Sequence, residues 1–344
     1  MKKRRTLIRG IAAAGAMLVM ILDSKTAAAS ARDGVELCIR TVIPSLFPFF
    51  VLSGVINSCL FGQNFGLLQP LARITKIPKG SESLLLLSFL AGYPIGAQLI
   101  AQSYRAGNLS IKTAKRMLGF CNNAGPAFLF GILSPLFTNM GILWLLWGIH
   151  IFSAIVTGWL LPDEEHEMCH IPPKTPITIS QSLYNAIKAM ASVCGWIVLF
   201  RVVLGFCNRW FLWIFPAEVQ VLFTGLLELA NGCILLQNIS QAGMRFLLAG
   251  IILSFGGLCV GMQTMSVTEG LGTGWYFPGK VLQTALTILF AYILQSIIFV
   301  GSDRVPIDPT VIILVTTILL VFIFVIHRNK AIIFRKGVIK DIFS

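Results

Sequence analysis

The chain has 344 residues, 56% of them apolar and only 12% charged, about half the charged share of a soluble domain. Mean hydropathy is +0.82 and the formal net charge is +13. These values exclude an ordinary soluble enzyme, a disordered tail and a disulfide-stapled secreted domain. They fit an all-α polytopic membrane protein built from spans of about 20 residues. The basic excess reads as the positive-inside bias, since no RNP, zinc-finger or basic-helix signature points to nucleic acid. The eight cysteines are scattered, with no Cys-x-x-Cys, and read as small buried hydrophobes.

In chain order, Met1-Lys-Lys-Arg-Arg precedes an Ala/Gly/Met/Leu run and the small residues Ala27-Ala-Ala-Ser-Ala31. This is the three-part layout of a signal peptide, or an uncleaved first span with a cytoplasmic N-terminus. Residues 32–42 alternate charge and apolar groups and predict an interfacial helix. A kinked span follows at 43–61, with Pro44 and Pro48 inside it.

Residues 83–104 are too broken for a simple span. Gly92-Tyr-Pro94 interrupts the apolar run, and Gln98 and Gln102 follow it. Basic residues flank both sides, which predicts a re-entrant hairpin from the cytoplasm. Irregular backbone at that depth is tolerated where it is buried in protein or lines a cavity. The next span, 114–135, contains Phe120-Cys-Asn-Asn-Ala-Gly-Pro126. Two adjacent asparagines and a helix-breaking Gly-Pro at mid-membrane are costly unless used, which makes this the strongest functional signal. A span at 141–161 closes the first half.

Residues 162–180 form a polar cytoplasmic linker. His166, Cys169 and His170 have ligand-like spacing there, but a solvated linker is the simpler reading, and no metal is expected. The second half repeats the plan: a span at 189–207 with Arg201, a broken hairpin at 217–239 with Glu228 and Asn231, a broken span at 245–266 with Ser254, Gly256 and Gly257, and a span at 278–299. A final span at 309–327 precedes a basic tail. About eight spans and two re-entrant hairpins result. The organisation is an anchor or signal-like segment (1–31), a first repeat (32–161), the linker (162–180), a second repeat (181–300) and a final helix with its tail (301–344).

On this topology 20 of the 27 Lys and Arg, Lys280 among them, fall on the cytoplasmic side with both termini, and six fall outside. Arg201 is left within the membrane. The halves are inverted, and paired interrupted segments in inverted halves point to a transporter's midplane site. The solute-binding candidates are Gly92, Tyr93, Pro94, Gln98, Asn122, Asn123, Gly125, Arg201, Glu228, Asn231, Ser254, Gly256 and Gly257. Arg201 and Glu228 serve the solute or pair with each other, or Arg201 snorkels outward. Glu82 and Glu269 read as interfacial. No Walker A loop, zincin pair or Gly-x-Ser-x-Gly elbow occurs, so neither an enzyme nor a cofactor is expected, and His150 stands alone in its span.

Pro44-Ser-Leu-Phe-Pro-Phe-Phe50, Gly92-Tyr-Pro-Ile-Gly-Ala97, Phe120-Cys-Asn-Asn-Ala-Gly-Pro126 and Ser254-Phe-Gly-Gly257 resemble the sporulation integral membrane proteins of the YlbJ family over roughly residues 30–300. That family carries the "nucleoside recognition" gate domain. The resemblance implies a fold similar to concentrative nucleoside transporters. In endospore formers it implies movement of dipicolinate across the outer forespore membrane. The expected partners are therefore a small solute and the bilayer, with a homo-oligomer or a sporulation membrane partner left open. A nucleoside carrier and a non-transporting scaffold are the alternatives.

Overall fold

The computed structural model describes residues 2–63, 65–137, 139–162 and 177–306, with scattered positions from 310 to 319. Every regular element among them is helical. Five helical runs are long and apolar enough to cross a membrane: Ser24–Leu60, Met140–Leu160, Ile179–Trp210, Ala242–Val267 and Tyr276–Ile298. Fewer long helices are described than the eight spans expected. The apolar part of the N-terminal helix covers only Thr6–Leu22, and most of 309–327 lies outside the described residues. Of that last segment, Val315 and Leu319 are buried against Leu282, Ala285 and Leu286.

Helix α1 (Lys2–Leu22) is followed by α2 (Ser24–Leu37), which continues through a π-helical turn at Cys38–Val42 into α3 (Ile43–Leu60). The interfacial helix expected at 32–42 is therefore the middle of a long run. Small residues explain the difference. Ala27, Ser30 and Gly34 form one buried face of α2, and a Cβ at Gly34 would sit 3.0 Å from the Cα of Val198. Small residues at this spacing let two backbones approach closely. The partner is α10 (Ile179–Trp210), whose start is fixed by a capping box between Thr178 and Gln181.

A short α4 (Gln69–Thr75) leads to α5 (Glu82–Leu90) and α6 (Ile95–Arg105). These two fold back on each other, with Gly96 against Ser88 and the tip at Gly92. Then α7 (Ile111–Met117) ends, residues 118–125 are non-helical, and α8 (Pro126–Leu133) begins with proline in its first turn. The break expected at Gly125-Pro126 is thus a whole non-helical segment, and α9 (Met140–Leu160) follows it.

In the second half, α11 (Ala217–Leu227) and α12 (Leu229–Leu235) form the matching hairpin, with Gly225 packed on Gly232 and the tip at Glu228. Helices α13 (Ala242–Phe255) and α14 (Gly257–Val267) meet at Gly256 and Gly257, both left-handed at φ +81° and +80°. Only glycine adopts that region without strain. Helix α15 (Tyr276–Ile298) completes the described core.

Several expectations about charge and burial are corrected. Arg116 and Lys280, assigned to the cytoplasmic side, are fully buried. Arg116 donates to the carbonyls of Pro162, Thr75 and Lys76 and so ties α7 to two loops. Glu82 is buried, not interfacial. It sits in the first turn of α5, where the helix dipole favours a carboxylate. Cys38, Cys121, Cys233 and Cys259 are buried as expected, whereas Cys59 is exposed. The residues His166, Cys169 and His170 lie outside the described residues.

Candidate functional site

Each hairpin tip is seated on a helix break. A Cβ at Gly125 would lie 2.8 Å from the backbone N of Gly92 and from the carbonyl O of Leu90. A Cβ at Gly257 would lie 3.0 Å from the carbonyl O of Gly225 and 3.3 Å from that of Leu227. The two assemblies touch. The Tyr93 hydroxyl donates to the carbonyl O of Leu253 at 3.0 Å, and its ring packs on Gly256. Asn122 donates to Thr264 Oγ1 at 2.9 Å and accepts from the Ala97 N–H in the first turn of α6 at 3.4 Å.

Between the tips lies a narrow cavity of about 30 Å³. Tyr93, Gly125 and Phe128 line it from the first half, and Glu228, Val260 and Gln263 from the second. Val193 and Ile197 of α10 close one wall. One turn away along α10 and α14 is a wider polar vestibule of about 620 Å³ bordered by Gln98, Gln102, Arg105, Lys188 and Glu269. The Gln98 side-chain oxygen is buried there with no hydrogen-bond partner among the described residues.

The cavity has two chemically different ends. Glu228 caps α12. Its carboxylate accepts from the N–H groups of Ala230 at 3.0 Å and Asn231 at 2.7 Å, and from the Asn231 amide at 2.6 Å. Three donors hold one acidic side chain at the positive end of a helix. The opposite N-terminus, that of α8, is capped by Gly125 and offers no side chain.

Behind the first tip is a polar network that the sequence did not reveal. Lys280 Nζ lies 3.1 Å from Tyr93 Oη, 3.2 Å from Asn123 Oδ1 and 2.7 Å from Gln283 Oε1, and 4.9 Å from the centre of the Tyr93 ring. Gln283 donates to Asn123 Oδ1 and to the carbonyl of His150. His150 Nε2 accepts from the Ala124 N–H, which leaves Nδ1 to donate to Ser254, and Ser254 donates to Thr287. All these side chains are fully or almost fully buried. His150 is therefore a strut for the break at Ala124, not a lone residue.

Twelve of the thirteen predicted residues lie at the tips, at the breaks or on the adjoining vestibule: Gly92, Tyr93, Pro94, Gln98, Asn122, Asn123, Gly125, Glu228, Asn231, Ser254, Gly256 and Gly257. Arg201 does not. It lies one turn beyond Ile197 on α10 and pairs with Asp33 of α2 at 2.8 Å, and it makes no ion pair with Glu228.

The chain is 22% identical over 312 aligned positions to the sporulation integral membrane protein YlbJ of Bacillus subtilis (strain 168), covering 77% of this chain and 76% of that protein. This similarity runs over most of both chains and agrees with the resemblance read from the sequence. With its several long apolar helices the chain is a multi-pass integral membrane protein. No family model and no solved structure matches it.

The Arg201–Asp33 pair ties α10 to α2 outside the cavity lining. Both side chains are partly exposed, at 25% and 52%. Arg201→Ala is expected to change solute flux by less than about fivefold, because pairs this exposed contribute roughly 1 kcal/mol or less. Initial rates in proteoliposomes check this, and a loss as large as that of a cavity variant would return Arg201 to the site.

Proposed function

We propose that the chain is a transporter of a small anionic metabolite, with dipicolinate in sporulation as the named candidate. The observation that carries this reading is a cavity walled by both hairpin tips, with a polar vestibule one turn away along α10. On this reading the hairpins are re-entrant, the halves are inverted repeats, and both termini are cytoplasmic. The vestibule with Arg105 and Lys188 then faces the cytoplasm.

The cavity chemistry suits a flat ring bearing carboxylates. Once the tips part and widen the cavity, apolar walls from Phe128, Val193, Ile197 and Val260 take the ring. The N-terminus of α8 attracts one carboxylate, because the aligned peptide dipoles place partial positive charge there. Glu228 meets the other end, and two carboxylates side by side share a proton more readily than they coexist as anions. Glu228 is thus the proton carrier of this scheme. A nucleoside carrier is less favoured, because the first tip, Gly92–Gln98, has no carboxylate to bind a sugar.

The test is uptake of labelled dipicolinate beside labelled uridine by purified protein in liposomes. Saturable dipicolinate uptake that rises as pH falls is expected, with that pH-dependence flattened in Glu228→Gln. Unchanged pH-dependence in the variant removes Glu228 from the scheme. Uridine uptake instead assigns a nucleoside carrier, and uptake of neither solute assigns a scaffold.

A further inference from the structure

Lys280 carries a fully buried amine that the transport scheme above does not use. Its three neighbours each present an oxygen with its hydrogens already committed elsewhere. Tyr93 donates its hydroxyl proton to Leu253, so its oxygen faces Lys280 as an acceptor. The Asn123 amide N donates to the carbonyl of Phe120, which turns its Oδ1 toward Lys280. The Gln283 amide N donates to Asn123 and His150, which does the same for its Oε1. Three acceptors match the three N–H donors of an ammonium, whereas a neutral amine has two donors and one lone pair. The Tyr93 ring adds a fourth favourable surface. Among the described residues no carboxylate pairs with Lys280.

The oxygens come from parts that a moving carrier must hold in register. Tyr93 belongs to the first hairpin tip, Asn123 to the first break, and Gln283 to α15 itself. Tyr93 also reaches the end of α13, so the same hydrogen-bond chain joins the two halves. An uncompensated charge in a membrane protein is costly and marks function by default. Here its solvation is supplied by three protein oxygens, as in a site for a free monovalent cation.

We infer that the Lys280 ammonium is the permanent occupant of an oxygen-lined monovalent-cation site joining the first hairpin tip to the first break. The tethered charge takes the place of a free coupling cation, so the carrier runs without sodium or potassium. It also sets a fixed positive charge behind Tyr93, on the side where the α8 N-terminus receives an anion. This inference rests on the transport reading only for its uptake arm.

Two measurements on the full-length protein test it. In the first, wild type, Lys280→Ala and Lys280→Gln are unfolded by heat in choline chloride and in ethylammonium chloride. Lys280→Ala is expected to melt lower than wild type in choline and to recover in ethylammonium, which replaces the missing cation. Wild type and Lys280→Gln are expected to show no such difference. An indifferent Lys280→Ala overturns the inference. In the second, dipicolinate uptake by wild type is expected to be equal in sodium, potassium and choline chloride. Lys280→Gln is expected to be slower by about tenfold or more, the factor that loss of a charged hydrogen bond carries. A sodium or potassium requirement in wild type, or full activity in Lys280→Gln, overturns it. If Lys280→Ala fails to fold, Lys280→Gln decides. No uptake by wild type in any salt sinks the transport reading and leaves the melting comparison to judge the cation site.

Discussion

Asn123→Leu is expected to reduce dipicolinate uptake by about two orders of magnitude and to destabilise the protein by roughly 3 kcal/mol or more, the cost of stripping a partner from a buried charge. Asn123 is fully buried, and its Oδ1 accepts from Lys280 and Gln283 together. Leucine has a similar volume, so packing is nearly retained while both acceptor contacts vanish. The ammonium then keeps Tyr93 and Gln283 alone, and the Gln283 amide loses one of its two acceptors. Asn123→Asp is the informative companion. It preserves the acceptors and adds a charge that pairs with Lys280, which offsets the lost donation to the Phe120 carbonyl, so folding is expected to survive while the positive field behind Tyr93 disappears. Thermal melts of both variants with parallel uptake rates check this. A stable, active Asn123→Leu protein would mean that the network does not support the site.

The second large effect is steric. Gly125→Ala introduces a Cβ 2.8 Å from the Gly92 nitrogen and the Leu90 carbonyl, closer than a methyl group can approach backbone atoms. Neither neighbour is a flexible side-chain end, so the hairpin tip itself must move. Overpacking of this kind costs about 1–3 kcal/mol, and because the displaced tip carries Tyr93 a roughly hundredfold loss of uptake is expected through lost alignment. Gly131→Ala, six residues along in α8, meets nothing within 4 Å and is expected to leave both stability and uptake unchanged. Equal behaviour of the two variants would contradict a tip seated on the break.

These two variants also divide what could be read from the sequence from what could not. The hairpin tips and breaks were legible because glycine, proline and asparagine interrupting an apolar run have few other uses. Gly92, Gly125, Glu228 and Gly256 all fall where the chain turns or breaks. The cation site was not legible. Lys280 follows the turn-rich Gly270–Pro278 stretch and precedes a long apolar run, which is the pattern of a positive flank at a membrane surface. Its burial arises because α15 starts against the first break, with Gly279 packed on Gly119, a contact between residues distant in sequence. His150 was obscure for the same reason, since Ala124 and Ser254 reach it from both halves. The partner of Arg201 was not legible either. A lone charge inside a span signals function unless its partner is visible, and Asp33 had been placed on a surface helix rather than on the face that packs against α10.

The most direct test of the account is solute protection at the cavity wall. Ala230 lines the cavity beside Glu228 and is almost fully buried. In a version with its eight cysteines replaced, Ala230→Cys is reacted with a small methanethiosulfonate reagent in the presence of dipicolinate or uridine. Slow labelling that dipicolinate blocks and uridine does not is the expected result. Labelling indifferent to dipicolinate, in protein that still takes it up, would place the solute elsewhere and contradict the account.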